Sequence, residues 1–336
     1  VRILILSHRF SPFVGGIEVN SELLADEFNK LGHEVRVMTW TATGKDIVFP
    51  YVVIRKPGLF QMFKQMLWAD LVLENNPCIR LAWPVLLMTK KIHGIVLCTW
   101  VRRSDGSLSW LDRFKIWWIA KADRVIAVSE SVRKQACLHA TVIGNPYRDK
   151  LFRNMLIQRD KDFVFVGRLV SDKGVDMAVR MLKELLNINS GRDLSLTIIG
   201  EGPEKEKLIN LVTELGLNRH VYFAGTLRGD ELVKCINRHK YFVVPSRWEE
   251  PFGNVALEGM ACGCIPIVSD GGGLPDAVGA AGLIFERNNL DDLVLKAGSL
   301  LQDSALYERL HREVLEHLNK YKADVVAKRY LEFLNN

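Results

Sequence analysis

Residues 249–263, EEPFGNVALEGMACG, carry two glutamates, Glu250 and Glu258, with seven residues between them. A carboxylate pair can act as acid and nucleophile, or it can accept hydrogen bonds from the hydroxyl groups of a ligand. The setting separates these uses. Glu250 precedes Pro251 and so belongs to a loop after the strand-like YFVVPS. Glu258 falls about one and a half turns into a helix that starts near Gly253 or Asn254. The pair therefore straddles a helix N-terminus, where the amides of Phe252, Gly253, Asn254 and Val255 attract an anion. Hydroxyls on either side of an anion are the layout of a nucleotide-sugar, with sugar, diphosphate and ribose in line. Glu258 also lies within the apolar run VALEGMACG, where an unpaired carboxylate would be costly.

Two further sets of residues suit phosphate. In VGRLVSDKGVD, Arg168 and Lys173 leave the end of a strand five residues apart, in a loop closed by Gly174. Arginine offers a planar fork and lysine a point charge, and together they can neutralise a diphosphate. In SPFVGGIEVN, Gly15 and Gly16 separate the first strand from the first helix. Such a pair serves either a tight turn or the close approach of a phosphate to backbone amides. Neither this stretch nor GEGPEK at 200–205 matches G-x-G-x-x-G, which disfavours a nicotinamide enzyme.

These residues need strands and helices to hold them. RILILS, HEVRVMTW, ADLVLENN, GIVLCTW and RVIAVSE read as buried strands, with GIEVNSELLADEFNKLG a helix ending at Gly32 and further amphipathic stretches between the strands. The periodicity lapses at VIGNPYRDKLFRNMLIQRDKD, a candidate linker, and restarts at FVFVGRL. VDMAVRMLKELLNIN, EKEKLINLVTELGL and NVALEGMACG are the helices of the second half, between LSLTIIG, VYFAG, YFVVPS, IPIVSD and AGLIF. Strand and helix in alternation predict an α/β fold of two doubly wound, Rossmann-like domains facing across a cleft, with ligands beyond the C-terminal ends of the strands. The boundaries read as 1–147 and 160–319, with a last helix over 320–336.

The chain has 336 residues, enough for two domains, and 48% hydrophobic and 25% charged residues, as in soluble globular proteins. It opens directly on VRILILS, which predicts no secretory leader and a cytoplasmic protein. Cys78, Cys98, Cys137, Cys235, Cys262 and Cys264 show no pairing framework, and Cys262-Gly-Cys264 lacks zinc spacing, so reduced thiols are expected. The net charge of +6 is unevenly shared. Residues 1–150 hold 21 Lys and Arg against 13 Asp and Glu, or +8; the remainder hold 24 against 26, or −2. A basic half suits an anionic partner such as nucleotide phosphates or an anionic lipid surface. No recognition helix or RNA-binding motif supports nucleic acid.

Taken in order, GRLVSDKG, GEGPEKEKL and PSRWEEPFGNVALEGMACGCIPIVSD, with GG in the first loop, make the whole chain resemble the retaining family 4 glycosyltransferases of the GT-B fold. The resemblance implies a donor nucleotide-sugar held by the C-terminal domain and an acceptor by the N-terminal one, with the last helix crossing back to the N-terminal domain. It implies that Arg168 and Lys173 bind the diphosphate and stabilise the leaving nucleotide, that Glu258 holds the ribose and that Glu250 sits by the donor sugar. The amides of Phe252 to Val255 would face sugar and diphosphate, and Gly16 would approach the phosphate. Retention without a metal ion or other cofactor is implied as well. A UDP-sugar is the favoured donor, and a glycan or lipid-linked molecule of cell-surface polysaccharide assembly the expected acceptor. The same fold also serves sugar phosphorylases, nucleotide-sugar epimerases and catalytically weak sugar-nucleotide binders. One position departs from the family pattern: Trp100 in GIVLCTWVRRSDG stands where a histidine is usual. Tryptophan accepts no proton but can stack on a sugar ring. His93 is read as preceding that strand, and His8, in the first loop, is the other candidate to reach the cleft.

Two segments, RKPGLFQMFKQMLWAD (55–70) and WLDRFKIWWIAKADR (110–124), mix Lys and Arg with Trp, Phe, Leu and Met. Basic aromatic segments of this kind suit either core-facing helices with solvated basic faces or the interface of an anionic bilayer. With the +8 half, they predict peripheral contact with the inner face of the cytoplasmic membrane.

Overall fold

A computed structural model of the chain describes residues 1–13, 15–42, 47–88, 91–102, 109–136, 139–189 and 191–335. It divides into two compact units, one of Val1–Pro146 with Tyr321–Asn336, the other of Tyr147–Lys320.

The first unit is built on β1 (Arg2–Ser7), β2 (Glu34–Thr39), β3 (Val52–Arg55), β4 (Leu71–Asn75), β5 (Ile92–Leu97), β6 (Arg124–Ala127) and β7 (Thr141–Val142). Helices α1 (Gly16–Lys30), α2 (Leu59–Trp68), α3 (Ile79–Ala82), α4 (Trp110–Ile119) and α5 (Glu130–Ala136) lie between them, and a 3-10 turn over Trp83–Leu87 follows α3. The strands are ordered β3-β2-β1-β4-β5-β6-β7 and all pairs are parallel. A parallel sheet is covered on both faces, which is why RILILS and LVLEN run apolar without alternation. Two buried polar side chains brace it. Glu74 on β4 accepts a hydrogen bond from Trp118 Nε1 at 2.7 Å and from the Cys78 amide, and lies 2.7 Å from His93 Nε2. Asn75 beside it donates to Ile17 O at the start of α1 at 2.9 Å. His93 is thus inside β5 and buried, not ahead of the strand: the Glu74 carboxylate solvates the ring.

The second unit contains β8 (Lys161–Val166), β9 (Leu196–Ile199), β10 (Val221–Gly225), β11 (His239–Val244), β12 (Ile265–Ser269) and β13 (Leu283–Phe285), in the order β10-β9-β8-β11-β12-β13, again all parallel. Its helices are α6 (Val175–Ile188), α7 (Lys205–Glu214), α8 (Gly229–Asn237), α9 (Asn254–Ala261), α10 (Leu274–Val278), α11 (Leu290–Gln302) and α12 (Ser304–Asn319). Val175, Ala178, Val179, Leu182 and Leu185 recur at helical spacing on the buried face of α6 and enter the core with Phe163, Phe165, Leu196 and Ile198. Residues 147–160 belong to this unit despite their charges. Arg159 points inward and donates to the carbonyls of Asn237 (3.0 Å), His239 (2.6 Å) and Cys262 (2.8 Å).

The last helix, α13 (Ala323–Asn335), belongs to the first unit, where it packs on α1 and buries Tyr330 and Leu334. Five described cysteines are free, all but Cys235 buried. Burial pushes the Cys98 and Cys264 thiols up to about 12, far from the reactive range. Cys137 lies outside the described residues.

Candidate active site

Strand order reverses between β8 and β11 in the second unit and between β1 and β4 in the first. At such a point the loops leaving the two strands diverge to opposite faces and open a crevice at the C-terminal edge of the sheet. In the second unit these are the loop after β8, with Arg168 and Lys173, and the loop after β11, with Glu250.

The two loops are joined by backbone and side chains alike. The carbonyl of Asp172 accepts from the amides of Arg247 (2.8 Å) and Trp248 (3.1 Å) and from Ser246 Oγ (3.2 Å). Arg247 grips the Asp176 carboxylate through both terminal nitrogens, at 2.6 and 2.8 Å. Burial raises the Asp176 carboxyl, but the Arg247 bonds more than offset this and leave it below its ordinary value. Gly174 takes a left-handed conformation (φ 63°, ψ 30°) at the start of α6, and a side chain there would run into the Pro245 carbonyl. This clamp brings Lys173 Nζ into an ion pair with Glu250 Oε1, which also accepts from Ser246 Oγ at 3.0 Å. Glu250 is 17% exposed and Lys173 26%. Arg168, by contrast, is exposed, and no ion pair to it is found among the described residues.

Glu250 is held from its other side by SDGGGLPD, residues 269–276. Its backbone bridges to Gly272, and its carbonyl accepts from the Gly273 amide at 2.7 Å. Gly272 has φ 68°, and a side chain there would collide with the Glu250 backbone. Next comes α9. Gly253 precedes it with φ 116°, where a Cβ would sit 2.6 Å from Leu274 Cδ2. Phe252 is buried below, while Asn254 and Val255 remain half-buried. No side chain caps α9 at Gly253 and its first turn has no acidic residue. The first turn of α9 thus adds no negative charge of its own to the dipole at this end.

Glu258 lies one turn into α9, 16% exposed, and accepts from Arg148 at 3.0 Å. Burial raises its carboxyl above the ordinary value, while Arg148 pulls in the opposite direction. Arg148 in turn lies over the Phe152 ring, 5.0 Å from its centroid.

The other candidates belong to the first unit. Gly15 and Gly16 fall between β1 and α1. Gly15 has extended backbone (φ −152°, ψ 172°), and a Cβ on Gly16 would meet nothing within 4 Å. The described residues thus give no steric reason for glycine at position 16. His8 is exposed just past β1, where its carbonyl accepts from Thr39 Oγ1 at 3.3 Å. Trp100 is half-buried just past β5. The glycines of GEGPEK have a packing explanation, because a side chain on Gly200 would strike Gly167 and one on Gly202 would strike Leu169.

Sequence reasoning missed Arg148, Ser246 and the Gly271–Gly273 loop. Arg148 lies in the segment taken for a linker, and no spacing rule ties it to Glu258. Ser246 carried no signal beyond following a strand. The glycine triplet did carry one, the same strand–glycine–helix sign that marked Gly15 and Gly16.

With this geometry in hand, the comparisons with known proteins are decisive on family. The profile described as "Glycosyl transferases group 1" matches residues 147–317. The chain belongs to this family. An uncharacterized glycosyltransferase of Methanocaldococcus jannaschii is 32% identical over 207 residues, which is 60% of this chain and 56% of that protein. The chain thus spans little more than half the length of that curated relative. Among solved structures, Anabaena HepE in complex with UDP superposes with a TM-score of 0.83 at 17% identity, covering 100% of both chains. Sucrose-phosphate synthase from Thermosynechococcus elongatus gives 0.78 at 19%, covering 99% of this chain and 98% of that one. These likenesses establish the GT-B two-domain fold for this group 1 glycosyl transferase.

Proposed function

We propose that this protein transfers a sugar from a nucleotide-diphosphate sugar, with a UDP-sugar favoured, to a glycan or lipid-linked acceptor, retaining the anomeric configuration and using no metal ion. The observation that carries the proposal is the convergence of Lys173, Glu250 and the start of α9 at the strand-order reversal of the second unit, with Glu258 one turn further on. A diphosphate at the start of α9 would meet backbone amides and the cations Arg168 and Lys173. Glu250 would accept from sugar hydroxyls and Glu258 from the ribose.

In the reaction the bond from the anomeric carbon to the phosphate oxygen breaks, its electron pair leaving with the nucleotide diphosphate. An acceptor hydroxyl oxygen bonds to that carbon, and its proton ends on the released diphosphate or in water. Negative charge develops on the leaving phosphate, so preorganised cations and amides there lower the barrier most. UDP is favoured by analogy with HepE, which has been solved with UDP. The Gly15–Gly16 turn begins a second helix, and an anion reaching its N-terminal amides would have to displace the Glu18 carboxylate that lies beside Gly15. Trp100 would serve as an apolar platform for a sugar ring. A role in cell-surface polysaccharide assembly, at the inner face of the cytoplasmic membrane, follows from a lipid-linked acceptor.

The test is a thermal-shift and calorimetric screen of UDP-, GDP- and ADP-sugars, because a ligand that binds the folded state stabilises it. One nucleotide class should bind and, with acceptor, release its nucleotide with a chelator present. Binding by none of them sinks the reading. Tight binding without turnover under any acceptor favours the sugar-nucleotide binder instead.

A further inference from the structure

We infer that α2, the 3-10 turn over Trp83–Leu87 and α4 together form a docking face for an anionic lipid bilayer. The starting point is topology. Connections between parallel strands are right-handed, so the face on which a helix lies follows from the direction in which the chain steps across the sheet. From β1 to β2 it steps one way, carrying α1. From β3 to β4, β4 to β5 and β5 to β6 it steps the other way, carrying α2, the α3–turn segment and α4. These three therefore share one layer, opposite α1 and α13. Contacts agree: Phe63 on α2 meets the Trp83 ring edge-on at 5.5 Å, and Trp118 on α4 reaches Glu74 on β4.

The outward side of this layer is unusually apolar. Of the 24 large hydrophobic side chains exposed among the described residues, ten lie on these three short elements. On α2 they are Leu59, Phe60 (83% exposed) and Leu67. On the turn they are Trp83, Leu86 and Leu87, and on α4 Trp110 (75%), Leu111, Phe114 and Trp117. Trp110, Phe114 and Trp117 follow helical spacing, and the last two rings stack at 5.5 Å. An exposed apolar cluster of this extent marks an interaction surface.

Charge selects the occupant. Lys64, Arg113 and Lys115 are exposed on the same elements, with Arg80 and Lys121 beside them. The only acidic side chain on the three is Asp112, which is buried and held in the capping box with Ser109. Aromatic and aliphatic side chains interleaved with unopposed cations match the headgroup region of an anionic leaflet. Leu59–Phe60 and Trp110–Leu111 begin their helices and so lie toward the C-terminal edge of the sheet, the edge that also carries His8, Gly16 and Trp100. A lipid-linked acceptor anchored in the same leaflet would enter at that edge. That purpose rests on the proposed transfer; the docking itself does not.

The experiment is flotation of the full chain with vesicles of phosphatidylcholine alone or mixed with phosphatidylglycerol, without donor or acceptor. The chain should float with the anionic vesicles at low salt and largely detach at high salt. The pairs Lys64→Glu with Lys115→Glu, and Phe60→Ser with Trp110→Ser, should each lower vesicle partition by about tenfold or more. Thermal unfolding should stay unchanged, since all four side chains are exposed. Failure of the wild-type chain to float at low salt, or flotation undiminished in both variant pairs, overturns the proposal. So does a lipid-free dimer that the Phe60→Ser/Trp110→Ser pair dissociates without affecting flotation. Calorimetry with the nucleotide-sugar on the same preparation separates the two proposals, since donor binding without flotation removes only the docking face.

Discussion

Replacing Glu258 with glutamine removes its charge while keeping its shape. The side chain is 16% exposed, its carboxyl is raised by burial, and Arg148 at 3.0 Å is its compensating cation. If Glu258 accepts from ribose hydroxyls, a charge-assisted bond of about 1.5–3 kcal/mol becomes a neutral one of about 0.5–1.5 kcal/mol. The loss of about 1–1.5 kcal/mol weakens nucleotide binding by about 5- to 12-fold, at 1.4 kcal/mol per factor of ten. Alanine, which removes the acceptor altogether, weakens it by about 10- to 150-fold. The same substitution has an opposite effect on the free protein. Because the carboxyl is raised in the folded state above its ordinary value, the folded chain holds this proton more tightly than the unfolded chain. Its contribution to stability is therefore fully present below that value and is lost as pH rises through the higher folded-state value. Glu258→Gln should abolish that loss, so the difference in stability between variant and wild type grows with pH. Calorimetric titration with the nucleotide and denaturant unfolding across pH read the two effects separately. Unchanged nucleotide affinity refutes the ribose role, and a stability difference that shrinks as pH rises refutes the account of the buried charge.

Three other perturbations probe neighbouring parts. Lys173→Ala should lower turnover by about 10²- to 10³-fold in a donor-release assay, as for loss of one transition-state charge partner, and near-normal turnover counts against the diphosphate assignment. Gly272→Ala places a Cβ at φ 68° against the Glu250 backbone, and should cost about 1–3 kcal/mol in denaturant unfolding; an unchanged midpoint would mean that the 269–276 loop yields easily. Glu74→Gln leaves Trp118 Nε1 and the Cys78 amide facing an amide that also carries donors, and should destabilise the first unit by about 2–5 kcal/mol. Wild-type stability in that variant would show that a single acceptor oxygen at position 74 suffices for these neighbours.

What was legible in the sequence was local. Uninterrupted apolar runs such as RILILS announced strands buried on both faces, and the glycines at 32 and 174 marked helix boundaries, where the structure has positive φ. Glu250 and Glu258 could be placed around the start of α9 because Pro251 and Gly253 fix where that helix begins. Partners distant in sequence were not legible. Arg148 lies 110 residues from Glu258, and Lys173 lies 77 from Glu250. His93 shows the same limit: the carboxylate that lets it sit buried inside β5 comes from the neighbouring strand.

The ion pair between Lys173 and Glu250 alters how the two cations of GRLVSDKG divide their work. The sequence places Arg168 and Lys173 together, a planar fork and a point charge on one loop. In the structure Lys173 already has a carboxylate, shared with Ser246, whereas Arg168 stands exposed with no ion pair found among the described residues. On the proposed reading an arriving diphosphate meets Arg168 as an open charge and must compete with Glu250 for Lys173. Competition of that kind frees the Glu250 carboxylate as the phosphate takes over its lysine. The carboxylate then becomes available to sugar hydroxyls only once the donor is seated. Glu250→Gln, by releasing Lys173 in advance, should therefore bind the free nucleotide diphosphate more tightly than wild type while losing turnover with the sugar-bearing donor. Parallel losses of both would mean that the pair acts as one rigid unit.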